Sequence, residues 1–144
     1  MQEQNYANHR QLVPAFHFVL WGILVLTLIG SLVNLYKSLG SHARLYSASL
    51  IVVLVVTSLM IALFCRVFSL KAQDRAIRAE ENLRHYVLTG KLLDPRLNIR
   101  QIIALRFSSD EEFPELATRA AEESLIPDTI KQAIKHWRAD THRV

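Results

Sequence analysis

Two uninterrupted apolar runs dominate the chain. From Gln11 to Tyr36 no Asp, Glu, Lys or Arg occurs over 26 residues, and none occurs over the 21 residues from Leu45 to Cys65. A bilayer core of about 30 Å takes about 20 apolar residues of helix. Each run therefore predicts one transmembrane helix, at residues 18–36 and 46–65. The segment 37–45 between them is short and polar and contains Gly40. A connector that short makes the two helices antiparallel neighbours. The rival reading of the first run is a cleaved signal peptide, with Ser41 and Ala43 at the small-residue positions. The long, weakly basic segment before the run and the length of the run itself argue against it.

Beyond the second run the period changes. From Ser41 to Thr89 there are 49 residues without Gly or Pro. This predicts one helix that starts near Tyr46, leaves the membrane and ends at Thr89, with Gly90 as its C-cap. Asp74 with Arg78 and Glu80 with Arg84 have the spacing of stabilising pairs on an exposed helix. Cys65, Ser69, Ala72, Ala76, Ala79, Leu83 and Tyr86 alternate at four and three, a short heptad seam. Two readings of the seam stand: packing against the chain's own later helices, or a two-chain coiled coil.

After Gly90 a connector at 91–97 is broken by Asp94-Pro95. Three short helices are expected after it. The first covers 99–107, with Asn98 as N-cap and Ile99, Ile102, Ile103 and Phe107 on its apolar face. The second covers 110–124, with Ser109 and Glu112 at capping-box spacing and Phe113, Leu116, Ala117, Ala120 and Ala121 on one face. Pro114 falls in its first turns, where proline is tolerated. The third opens with Pro127 and presents Ile130, Ala133, Ile134 and Trp137. The expected fold is all-α. A transmembrane helical hairpin continues through its second span into a cytoplasmic stalk helix, which is followed by a small module of about three short helices. The corresponding segments are a cytoplasmic or interfacial 1–17, spans 18–36 and 46–65, the external connector 37–45 and a cytoplasmic helical domain 66–144.

Charge sharpens this picture. Residues 1–65 hold three basic and one acidic side chain; residues 66–144 hold fourteen and twelve. Lys37 and Arg44 flank the connector, against Arg66, Lys71, Arg75, Arg78 and Arg84 beyond the second span. Lys and Arg concentrate on the cytoplasmic side, so both termini are expected there. Tyr36 and Tyr46 then fall at the outer boundary, and Phe16, Trp21, Phe64 and Phe68 near the inner one. Residues 66–106 carry a net +5 and residues 107–144 a net −3. The basic part lies nearest the membrane, where Arg66, Lys71, Arg75 and Arg78 are candidate contacts for anionic headgroups. That accounts for the sequence pI of about 9.5 without nucleic acid, for which no recognition motif is present.

The spans carry no ionisable residue, unlike those of pumps, proton relays and ion channels. Their Thr27, Ser31, Ser47, Ser49, Thr57 and Ser58 can bond to their own helix carbonyls. Gly22 with Gly30, and Ser58 with Ala62, have the spacing of a helix-packing face. Two uses compete for it: packing within the hairpin, or contact with another chain. Together with Ala72, Ala76, Ala79, Leu83 and Tyr86, Ser58 and Ala62 form the candidate partner interface.

No nucleophile, phosphate-loop, zinc or redox motif occurs. His9 and His17 are eight apart, too far to ligate one metal from one helix face, and His136 and His142 straddle a helix end. Asp110, Glu111 and Glu112 are expected to complement a helix N-terminus. Cys65, the single cysteine, excludes an internal disulfide and reads as a small packing residue. The expectation is a non-enzymatic accessory or scaffold membrane protein without cofactor or small-molecule substrate. Its partners are the lipid bilayer and either a second copy or a larger membrane complex. The alternative is a membrane-surface regulator that binds anionic lipid.

Neither helix nor span requires the details of Gln4–His17, with Asn5-Tyr6, Asn8-His9, Pro14 and His17. The segment reads as one that docks on the base of the stalk or as a partner epitope. With Ala104–Glu123 (ALRFSSDEEFPELATRAAEE) and Ile130–Trp137 (IKQAIKHW), it resembles an uncharacterised family of small bacterial two-span membrane proteins, a domain of unknown function. Members often have paired prolines where this chain has Pro14-Ala15. The resemblance implies a bacterial inner-membrane protein and carries over no activity, cofactor or catalytic residue.

Overall fold

A computed structural model describes residues 5–6 and 13–139. The described residues are helical, with one isolated β-bridge. They form α1 (Ala15–Lys37), α2 (His42–Thr89), α3 (Ile99–Leu105), α4 (Phe113–Glu122) and α5 (Pro127–Ala133). Two compact units result: Leu12–Ser69, and Leu70–Val144 with Met1–Gln11. The helix α2 contributes its first part to one unit and its last part to the other.

Both α1 and α2 are long and apolar enough to cross a membrane. The first turns of α1, Ala15–Leu20, are π-helical. Pro14 precedes them and has no N–H to donate. The His17 Nδ1 folds back to within 3.2 Å of the Val13 N and 3.0 Å of its carbonyl oxygen, which ties down this entry. The hydroxyls within the spans return to their own helix: Thr27 donates to the Ile23 carbonyl, Ser31 to that of Leu28 and Ser58 to that of Leu54. At the far end the buried Ser38 donates to the Asn34 carbonyl at 2.8 Å.

The covered positions of this unit form two heptad stripes. On α2 they include Leu45, Ala48, Val52, Val55, Leu59, Ala62 and Arg66, with Ser49 beside them; on α1 and its end they include Trp21, Leu24, Leu28, Ser31, Leu35 and Ser38, with Phe16, His17 and Leu20 near its start. No other helix belongs to this unit, so the two stripes cover each other, as antiparallel helices with a short connector must. Small side chains sit where the contact is tightest: Ser31 is 5% exposed and Ala48 1%. The expected packing face differs. Gly22, Gly30 and Ser58 are exposed, and a methyl group on either glycine would meet nothing within 4 Å. Of the four small residues, Ala62 alone packs inside the hairpin. Cys65 is exposed rather than a packing residue.

The second helix begins at His42, earlier than the expected Tyr46, and ends at Thr89 as expected. Gly90 takes a φ of +73° and its N–H donates to the Tyr86 carbonyl at 2.8 Å, the left-handed stop that glycine adopts without strain. The chain then folds back on the helix. Asn82 Oδ1 accepts from Leu93 N at 3.1 Å, and Leu93 and Leu97 enter the core.

That core joins Ile77 of α2 to Leu97, Ile102, Leu105, Phe107, Phe113, Leu116, Ala120, Ile130 and Ile134. Burying each large apolar side chain contributes about 1.5–3 kcal/mol. Asn98 caps α3 in a capping box completed by Gln101, whose amide also donates to the Leu125 carbonyl at 2.9 Å. The helix α4 starts at Phe113 rather than near Asp110, with Pro114 in its first turn and no side-chain cap from Glu112. The helix α5 opens on Pro127 and stops at Ala133; Ile134 is extended. Trp137 therefore belongs to a strap rather than to a helix face. Ser109 N donates to the His136 carbonyl at 3.0 Å, and Arg138 N to that of Phe107 at 2.7 Å. The Trp137 ring packs 5.2 Å from Phe107.

Candidate functional site

Three surfaces or clusters of the Leu70–Val144 unit can carry function. The first is the polar centre beside its core. Ile77, Glu81 and Arg84 share one face of α2, the face that meets the short helices. Arg84 is held from every side. Its Nε donates to Asp110 Oδ1 at 2.7 Å, one terminal nitrogen to Glu81 Oε2 at 3.0 Å and the other to the Ser108 carbonyl at 2.7 Å. Its guanidinium lies over the Phe113 ring at 4.3 Å. Burial raises the Glu81 carboxyl above its ordinary value, and the Arg84 hydrogen bond and charge oppose that rise. The expected exposed pair of Glu80 with Arg84 does not form. Arg84 turns inward because Asp110 and the Ser108 carbonyl, both outside any helix, converge on it. Helix periodicity alone does not decide that choice, although Glu81 and Arg84 stand at i, i+3 spacing on the Ile77 face.

The acidic run is likewise tertiary. Asp110 holds Arg84, and Glu112 accepts from the Lys135 and His136 N–H groups at 3.2 and 2.9 Å, anchoring the strap. His85 Nδ1 lies 2.7 Å from the Lys91 carbonyl, closing the helix end with Thr89, and its ring meets Phe113 edge-on. Among the described residues no His, Cys, Asp or Glu group is arranged to hold a metal. His9 and His142 lie outside them, as does Asn8.

The second feature is the seam. Ala72, Ala76, Ala79, Leu83 and Tyr86 are all exposed, Leu83 at 63% and Tyr86 at 54%. Packing of this seam against the chain's own later helices does not occur. At 100° per residue the seam centres roughly 150° from Ile77, Glu81 and Arg84, so the short helices cover the opposite side of the helix. The sequence pattern alone favoured the seam because its spacing is regular. The face actually used is half polar and is completed by loop residues.

The third is the basic flank. Lys71, Arg75 and Arg78 are exposed and lie at i, i+4 and i+7, on one side of the seam. Arg66 stands apart: it is half-buried, with its guanidinium 5.7 Å from the Phe16 ring. In the N-terminal segment the Tyr6 hydroxyl accepts from Gln132 Nε2 at 3.5 Å. This contact reaches α5; residues 7–12 of the segment expected at the base of the stalk lie outside the described residues.

No curated protein and no solved structure matches the chain. A family model does match, over residues 1–144, and its extent agrees with the resemblance carried by Gln4–His17, Ala104–Glu123 and Ile130–Trp137. The chain belongs to the family of unknown function DUF6526.

Proposed function

We propose that this protein is a non-enzymatic accessory or scaffold protein of the bacterial inner membrane. It is anchored by α1 and α2, with both termini cytoplasmic, and associates with itself or a larger membrane complex through α2. One observation carries the reading: an apolar heptad stripe on α2 is left uncovered on the side opposite the short helices, exposing Leu83 and Tyr86 to solvent. Such a face on a charged helix marks an association surface. The structural employment of Arg84, Glu81, Asp110, Glu112 and His85 supports a scaffold over an enzyme, since these groups hold the fold. Purification in mild detergent followed by native mass spectrometry tests the proposal. The expected result is an assembly larger than one chain, and a monomer under every mild condition overturns it.

A second reading has its own support in the exposed Lys71, Arg75 and Arg78, which share one face near the membrane. Each well-placed basic side chain adds roughly 1 kcal/mol toward an anionic bilayer. On this reading the K71Q/R78Q variant, which leaves Arg75 in place, loses bound anionic lipid in native mass spectra while keeping its assembly state.

A further inference from the structure

We infer that the occupant of the exposed stripe is a second copy of this chain, aligned in parallel and in register along α2. The inference rests on the membrane reading above and adds the partner and its geometry. Two copies inserted in one membrane with one orientation run in the same direction, so a symmetric pair must be parallel, with the same patch on both chains. The seam satisfies that symmetry. Ala72, Ala76, Ala79, Leu83 and Tyr86 alternate at four and three residues, the spacing that keeps a seam on the axis of a left-handed pair. The short helices lie on the far side of the helix, and the connector after Gly90 reaches only the flank at Asn82, so the seam residues themselves stay exposed.

Charge complementarity selects the second copy. With Ala72 and Ala79 at d positions and Ala76 and Leu83 at a, Arg75 occupies g and Glu80 the following e. In a parallel two-stranded coil those positions face each other, so Arg75 meets Glu80 of the partner subunit, twice by symmetry. Within one chain the two residues are five apart, about 140° around the helix, and cannot pair. Both are exposed. An unrelated partner would not require this g-to-e match within one sequence. The small side chains at 72, 76 and 79 allow a close approach, and Leu83 and Tyr86 supply the larger buried area at the far end.

The register also places Cys65 at a d position, exposed and directly opposite its symmetry mate. This supplies the test. The full-length protein in liposomes is oxidised with copper phenanthroline, which takes the two electrons as two thiols lose their protons and form one disulfide. A disulfide-linked dimer through Cys65 is expected. In a Cys65→Ser background, Ala79→Cys restores the crosslink, whereas Arg78→Cys, on the flank, gives at most a few per cent of it. Arg75→Glu or Glu80→Arg alone lowers the dimer fraction several-fold, and the double swap restores it. Equal crosslinking at 78 and 79, or a double swap no better than the singles, overturns the inference. A larger assembly in native mass spectra without the Cys65 or Ala79→Cys crosslink overturns the second copy while leaving the accessory reading intact; a monomer by both measures sinks both.

Discussion

At the residue scale, Arg84 is the most consequential side chain described. It neutralises Glu81, whose side chain is 8% exposed, and ties two non-helical segments to the helix. Removing it leaves a buried carboxylate without its cation. Arg84→Ala is therefore expected to destabilise the module by about 3–5 kcal/mol, read as a loss of amide-exchange protection at Ile102, Leu105 and Ile130. The apolar pair Arg84→Met with Glu81→Leu should recover much of that loss, because no charge is then stranded. The pH dependence has a definite sign. The folded carboxyl of Glu81 lies above its unfolded value of 4.5 because burial penalises the charge. Its contribution is fully present below 4.5 and falls as pH rises through the raised value. Wild type should thus gain stability relative to Glu81→Gln as pH is lowered from 7 toward 4.5, measured by thermal unfolding. Asp94 has the opposite sign: its bonds to Arg96 hold it at about 2, so its contribution disappears only as pH falls from 3.8 toward 2.

At the element scale, stop and start signals decide where helices end. Gly90 at φ +73° ends α2, and a side chain there costs about 1 kcal/mol through its Cβ. Gly90→Ala should lower the melting temperature with no other change in the spectrum of the folded protein. Asn98 supplies both halves of a capping box with Gln101; Asn98→Ala is expected to cost about 1 kcal/mol. These signals were legible in the sequence because each acts within a few residues. The end of α5 was not. Ile130, Ala133, Ile134 and Trp137 have helical spacing, yet the chain turns extended at Ile134 and gives its next N–H and C=O groups to the 107–109 segment. Glu112, 23 and 24 residues away, accepts from the Lys135 and His136 N–H groups. A distant carboxylate and a facing backbone won over local periodicity.

At the scale of the whole molecule, the proposed topology makes a separate prediction. In a Cys65→Ser background, a membrane-impermeant maleimide applied to intact cells should label Gly40→Cys and spare Leu92→Cys until the membrane is opened. The reverse pattern would invert the orientation. Labelling at both sites in intact cells would contradict a hairpin with both termini inside. Neither substitution disturbs packing, since Gly40 has nothing within 4 Å of an added methyl group and Leu92 is exposed.

Sequence by itself determined the two apolar helices, the unbroken run of α2 to Gly90 and the existence of three short amphipathic helices. These follow from uncharged length, from the absence of breakers and from a 3.6-residue period, all of which are local properties of the chain. Tertiary structure decided which face of each helix is used. Regular spacing showed that Ala72, Ala76, Ala79, Leu83 and Tyr86 form a stripe, but the module packs on the Ile77, Glu81 and Arg84 side. That side is completed by Asp110, the Ser108 carbonyl and the Phe113 ring, which lie 24 or more residues along the chain from Arg84. Gly22 and Gly30 likewise turned outward while Ser31 and Ala48 turned inward, because burial on a helix is set by what arrives to cover it.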